Sequence, residues 1–242
     1  MRLVTASAPG DPAFDIALSH ALLAEVAAGR REDVVRLHRP GATAAFGRLD
    51  ALRPGFDAAC AVAEELGFTP VVRSAGGHAA PYDEQALVIE HIVAAGDVTA
   101  GLEERFHAMS GRLRDVLRGL GADARVGELP GEYCAGAHSI NVGGRLKVAG
   151  VAQRAVRGGA LTSAILTVGG GPRLRDAVAA LYATLELEVD PAVAGALDEV
   201  LPGVTVAAVS DAVRAAYGDP SPEEPDDALL AAARALIPRH AV

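Results

Sequence analysis

The chain has 242 residues, half of them apolar, with a formal charge of −9, two cysteines and no tryptophan. This length supports one substantial core, and the acidic balance disfavours nucleic acid and anionic membranes as partners, since both need a positive surface. No apolar stretch is long enough to span a bilayer, and two cysteines read best as reduced thiols, so a cytoplasmic setting is expected.

Pro12 to Ala28 carries apolar residues at helical spacing, with Asp11 placed to cap it and Gly29 to stop it. Val34 to His38 and Thr43 to Phe46 read as short strands around Pro40-Gly41. Gly55 to Leu66 returns to the helical period, and a strand at Thr69 to Val72 follows. Arg73 to Asp83, with paired glycines and a proline, reads as an irregular loop leading into an apolar strand at Ala86 to His91. Gly101 to Leu120 is a long helix with a charged face, Ala124 to Val126 a short strand, and Gly127 to Ala137 irregular again. Ser139 to Val142, the turn Gly143-Gly144-Arg145 and Leu146 to Gly150 form a hairpin, with Ala160 to Val168 pairing beside it. Helices are expected at Leu174 to Leu185, Val193 to Leu201 and Val206 to Tyr217, then an acidic, proline-rich linker over 218–227 and a last helix at Ala228 to Leu236.

The chemistry concentrates in Gly131-Glu132-Tyr133-Cys134-Ala135-Gly136, a thiol in a glycine-flanked loop, and in Lys147, the sole lysine, on the strand after it. A nearby cation favours the thiolate, which is both nucleophile and leaving group, as acyl transfer requires. On residue types alone Cys134 reads equally as a small apolar filler, and Lys147 as a solvated strand residue. Cys60 lies on an apolar helical face with Phe56, Ala59 and Ala63 and is assigned to core packing. The histidines show no spacing typical of zinc; His78 and His138, on loops beside Cys134, are candidate bases or thiol partners. Gly169-Gly170-Gly171-Pro172 lacks the lysine and hydroxyl residue of a phosphate loop and reads as a turn.

Four segments stand in a telling order: Phe14-Asp15-Ile16-Ala17 with Ala21-Leu22-Leu23; Arg36 to Pro40 followed by Phe46-Gly47-Arg48; Val71 to Ala79; and Gly144-Arg145-Leu146-Lys147-Val148-Ala149-Gly150 continuing to Arg154. Together, over most of Pro12 to Val168, they resemble the lipoate-protein ligase A and octanoyltransferase superfamily, related in fold to biotin protein ligases. The resemblance implies an α+β fold, with a mixed, largely antiparallel sheet flanked by helices over 1–185 and a small helical extension over 186–242. It also implies that Cys134 carries an octanoyl or lipoyl group as a thioester and that Lys147 contacts the acyl carbonyl. Arg73, Gly76, Gly77, His78, Gly150 and Ala152 would then bind substrate, with Val148 or Val151 lining the acyl tunnel.

The implied acceptor is a lysine of a lipoyl-domain protein, such as glycine cleavage H protein or a dehydrogenase E2 subunit, and the acyl donor is an acyl carrier or lipoyl-domain protein. No cofactor or metal is then needed. The alternatives are an ATP- and magnesium-dependent lipoate ligase, or a catalytically idle acyl-binding homologue. His138-Ser139, in place of the Asn-Asp pair of ligases, weighs against the first, while His78 and Tyr82 are bulkier or different from the usual residues of the ligand loop.

Overall fold

The computed structural model describes residues 1–96 and 99–242. The strands are β1 (Arg2–Val4), β2 (Val34–His38), β3 (Thr43–Phe46), β4 (Thr69–Val72), β5 (Ala80–Tyr82), β6 (Ala86–Ala95), β7 (Ala124–Val126), β8 (Ile140–Val142), β9 (Leu146–Val156), β10 (Gly158–Thr167) and β11 (Ser221–Pro222). The helices are α1 (Pro12–Ala27), α2 (Phe56–Glu65), α3 (Leu102–Gly119), α4 (Gly171–Thr184), α5 (Val206–Ala216) and α6 (Asp227–Leu236).

The larger sheet runs β11-β1-β2-β6-β10-β9-β8-β7, and a three-stranded sheet runs β4-β3-β5. Only β11-β1, β1-β2 and β3-β4 pair in parallel, so the fold is α+β with a mixed, largely antiparallel sheet, as the resemblance implied. Period-two alternation splits the long strands between two layers. Leu87 and Ile89 of β6 join Met109, Leu113 and Leu117 of α3, while Ile92 of β6 and Leu161 of β10 join Leu18, Leu22 and Val26 of α1. A third cluster unites α2, α4 and the small sheet through Phe46, Ala59, Leu174 and Leu181.

The expected cap is in place: the Asp11 carboxylate accepts from the Phe14 amide at 3.0 Å. Three expectations change. The loop over 73–83 contains β5, which pairs with β3. The helix expected at 193–201 is two 3-10 turns, Pro191–Val193 and Leu197–Glu199. Its backbone is committed elsewhere, because the Gly195 amide donates to the Lys147 carbonyl at 3.0 Å and a Cβ at Gly195 would lie 2.8 Å from that of Leu146. The expected linker holds β11, which extends the main sheet beyond β1. Within 186–242, α6 places Leu229 and Ala233 against the α1 cluster, and α5 places Val209 and Val213 against the α3 cluster.

One polar group lies inside the α1 layer. Arg36, fully buried, donates to Asp15 Oδ1 at 2.6 Å, to Ser19 Oγ at 2.8 Å and to Glu90 Oε2 at 3.3 Å. A buried charge is tolerated only with such partners. Arg36→Met, which leaves two buried carboxyl groups without their cation, should therefore lower unfolding stability by about 3–5 kcal/mol. Urea denaturation checks this, and a loss below 1 kcal/mol would count against a closed network.

Candidate active site

β8 and β9 form the expected hairpin, and the second strand turns Lys147 inward, where it is 1% exposed. Its ammonium has three hydrogens and meets three acceptors: Glu132 Oε1 at 2.9 Å, the Tyr133 carbonyl at 2.8 Å and the Cys134 carbonyl at 2.9 Å. Glu132 is buried as well, and its carboxylate gathers the loop. Oε1 also accepts from Ser139 Oγ at 2.6 Å and the Gly136 amide at 3.2 Å, while Oε2 accepts from the Leu129 amide at 2.9 Å. The buried ion pair thus fastens the whole Cys134 loop to the sheet.

Cys134 sits in the left-handed region at φ +43°, a conformation that non-glycine residues adopt only when their surroundings enforce it. Both backbone ends are held. The Cys134 amide donates to the Tyr182 hydroxyl at 2.5 Å, that hydroxyl donates to the Ala79 carbonyl at 3.1 Å, and Lys147 holds the Cys134 carbonyl. Burial and the neighbouring Cys134 push the Tyr182 phenol well above its ordinary pKa, so it stays a neutral hydrogen-bonding post.

The sequence reading paired this thiol with Lys147. The cation that reaches the sulfur is Arg73, whose Nη2 lies 3.1 Å from Cys134 Sγ and 2.8 Å from the His78 carbonyl. Gly77 makes that approach possible: at φ +94° it has no side chain, and a Cβ there would stand 2.5 Å from the sulfur and 2.8 Å from Arg73. Gly76 lines the same cavity but has open space where a Cβ would be. The His78 ring lines neither cavity described below; its Nδ1 lies 2.7 Å from Oδ1 of the buried Asp50, whose Oδ2 accepts from the Gly47 amide at 2.9 Å. His138 stacks on Phe106 at 4.6 Å and points Nε2 toward Glu103 at 3.3 Å.

A cavity of about 270 Å³ is bounded by Arg73, Gly77, Cys134, Lys147, Gly150 and Ile165, so Cys134 and Lys147 line one space. A second, of about 80 Å³, runs under α1 and shares Arg73, Gly150, Ala152 and Ile165 with the first. The bare positions Gly150 and Ala152 on β9 form the floor where the two join. Sequence reasoning missed Asp50, Tyr182 and the anchoring role of Glu132. A glutamate between a glycine and the key tyrosine-cysteine pair was the only one of the three with a local signal.

The model of the lipoyl protein ligase A/B catalytic domain matches residues 11–218. The chain belongs to that family. Among its relatives, an octanoyl-GcvH:protein N-octanoyltransferase of Geobacillus kaustophilus is 34% identical over 168 residues, covering 68% of this chain and 59% of that protein. One of the same description from Oceanobacillus iheyensis is 29% identical, covering 80% and 72%. The chain thus spans under two thirds of the first of these relatives. Folds agree over nearly the whole chain. A lipoate-protein ligase A solved with ATP has a TM-score of 0.77 at 20% identity, covering 98% of this chain and 94% of that one. A bipartite lipoate protein ligase from Thermoplasma acidophilum has a TM-score of 0.71 at 18% identity, covering 98% and 92%.

Two outcomes follow from the placement of the charged and thiol groups. Glu132→Ala leaves the Lys147 ammonium buried without its counter-charge and should cost about 3–5 kcal/mol in denaturant unfolding. Burial pushes the Cys60 thiol up to about 11, so near pH 8 only about one part in a thousand of it is thiolate. Iodoacetamide should then modify the Cys134 peptide and spare Cys60, as peptide mass mapping would show; equal labelling of both would contradict this placement.

Proposed function

We propose that the chain is an acyltransferase that moves an octanoyl or lipoyl group, through a thioester on Cys134, to a lysine of a lipoyl-domain protein. The observation that carries the proposal is the Cys134 sulfur, hydrogen-bonded to Arg73 beside a cavity that meets a second one over Gly150 and Ala152. The naming of relatives as octanoyl-GcvH:protein N-octanoyltransferases supports glycine cleavage H protein as the donor and other lipoyl-domain proteins as acceptors. No nucleotide or metal enters the reaction, and a reducing cytoplasm keeps the thiol available.

In the first half-reaction the Cys134 thiolate, supported by the Arg73 guanidinium, attacks the acyl carbonyl of the donor. A carbon–sulfur bond forms, the bond to the donor nitrogen breaks, and the leaving amine takes up a proton. In the second, the neutral amine of the acceptor lysine attacks the thioester, its carbon–nitrogen bond forms, the amine gives up a proton and the thiolate leaves. The Nδ1 contact with Asp50 holds a His78 ring that lines neither cavity, so the protons taken up and given back pass through solvent.

Lys147 has a double role. At rest all three of its hydrogens hold the loop, so it meets a developing oxyanion by exchanging one backbone carbonyl for the acyl oxygen. Lys147→Ala should lower kcat about 10²–10³-fold, the usual cost of losing one oxyanion donor, beyond any loss of folded protein. Cys134→Ala should abolish both transfer and the hydroxylamine-sensitive mass increase after incubation with octanoylated H protein. Undiminished transfer by that variant would end the thioester reading, and transfer that required added ATP and free acid would favour the ligase chemistry instead.

A further inference from the structure

In the proposed transfer the acyl group arrives attached to a carrier protein, so the body of that protein comes to rest on the rim around the cavities. The charge of this rim is out of keeping with the rest of the chain. Arg48 follows β3 at the turn where Gly47 lies under the Gly77 carbonyl. Arg154 stands two residues beyond Ala152 on β9 and opposite Leu161 of β10, so it leaves the sheet on the α1 face, where Ala152 and Leu161 line the second cavity. Arg239 ends a 3-10 turn, Ile237–Arg239, and the next residue is tied to the end of β4: the His240 carbonyl accepts from the Val72 amide and its Nδ1 donates to the Val72 carbonyl, both at 2.9 Å. His20 of α1, which lines the second cavity, packs its ring edge-on against that of His240 at 4.7 Å.

These groups repel one another. Burial, followed by His240, Arg154, Arg48 and Arg239, pushes His20 down to about 3, and Arg154 is held below its ordinary value by burial and by Arg48 and Arg239. No hydrogen bond or ion pair joins Arg48, Arg154 or Arg239 to a described residue. Elsewhere surface arginines hold carboxylates, as Arg30 does Glu25, Arg125 does Asp123 and Arg214 does Asp219, in a chain with 31 acidic against 22 basic residues. Cations gathered without counter-charge cost stability and attract an anion. Beside Arg48, Leu49 and Leu52 are 72% and 80% exposed, more than any other large apolar side chain among the described residues. Bare leucines next to unpaired arginines suit a protein surface better than a free ion, and a polyanion larger than the rim would meet the chain's excess of carboxylates.

We propose that Arg48, Arg154 and Arg239, with Leu49 and Leu52, form the docking surface for the acyl-carrying protein, and that the partner meets it with an acidic patch beside its acylated lysine. This rests on the acyl-transfer reading and adds the surface chemistry of its partner. Docking leaves the covalent step unchanged.

The test reads Cys134 acylation by intact mass in the whole chain with two donors: octanoylated H protein, and the N-acetylcysteamine thioester of octanoic acid, which is too small to cover the rim. Arg48→Glu with Arg239→Glu should raise the concentration of protein donor that half-saturates the rate about ten-fold or more, keep the maximal rate within about two-fold, and leave acylation by the thioester unchanged. For the parent chain, the half-saturating concentration of protein donor should rise severalfold as salt is raised to about 0.3 M, and the double variant should lose most of that dependence. Both replaced side chains are exposed, and relief of their repulsion should leave the unfolding temperature no lower than the parent's by circular dichroism. Arg145→Glu with Arg234→Glu, the same change of charge at the hairpin turn and on α6, is the control. Unaltered saturation in the first double variant, an equal rise in the control, or an equal loss with the thioester overturns the proposal. If neither donor acylates Cys134, the transfer reading fails, and calorimetric titration of H protein into Cys134→Ala with and without the two reversals still decides the docking: weaker binding with them supports it and equal binding overturns it.

Discussion

The pairing of Lys147 with Glu132 is the constraint on which the candidate site depends. Two opposite charges withdrawn from water are expensive, and their mutual attraction offsets that cost only when the remaining hydrogen-bonding capacity is also filled. Here it is filled almost completely. The ammonium spends its other two hydrogens on consecutive backbone carbonyls, and the carboxylate spends its remaining lone pairs on Leu129, Gly136 and Ser139. A loop with little apolar surface of its own is thereby given one conformation, and Cys134 can be held in a left-handed geometry that the isolated segment would avoid.

The second constraint is absence of bulk. Gly77 lets Arg73 and the sulfur meet, and Gly47 lets the end of β3 pass beneath the Gly77 carbonyl, which a Cβ would strike. On β9, Gly150 and Ala152 leave a groove along the sheet that larger residues would fill. The same sheet face carries leucines and isoleucines a few residues farther along, where α1 packs on it. One surface therefore acts as core at one end and as cavity floor at the other, and the polar Arg36 group lies between the helix and the floor.

Much of this was legible in the sequence for definite reasons. β2, β3, β4 and β7 occupy the expected residues, because alternation and turn chemistry are local signals. The exposed hairpin turn and the capped first helix were readable on the same ground. The segment after α4 was not, since its apolar residues at helical spacing meet the end of β9, and tertiary hydrogen bonds prevailed over propensity. Strands β1 and β11 were hidden by their shortness and by being joined only through long-range parallel pairing. At the site, cysteine and lysine stood out by rarity. Arg73 was named, but its contact with the sulfur depends on a fold in which residues 73 and 134 meet, and no spacing announces that. Asp50 was invisible because it lies between exposed leucines and is buried only through the loop beneath His78.

The separation of the two cations has a mechanistic consequence. If Lys147 both activated the thiol and bound the oxyanion, its charge would be drawn to the thiolate just when the carbonyl needed it. In the proposed mechanism two unlike cations divide the work. Arg73 is a planar fork that spans the sulfur and the His78 carbonyl at once, and a guanidinium stays charged when partly buried. Lys147 is a compact point donor that can turn from one carbonyl oxygen to another without moving its stem. In the proposed transfer Lys147 would exchange one of the two backbone carbonyls it holds for the acyl oxygen, so acylation and loosening of the Cys134 loop would be one event. On that proposal, departure of the acyl group to an acceptor lysine would restore the clamp, and the left-handed geometry at Cys134 would oppose a long-lived acyl-enzyme and favour its turnover.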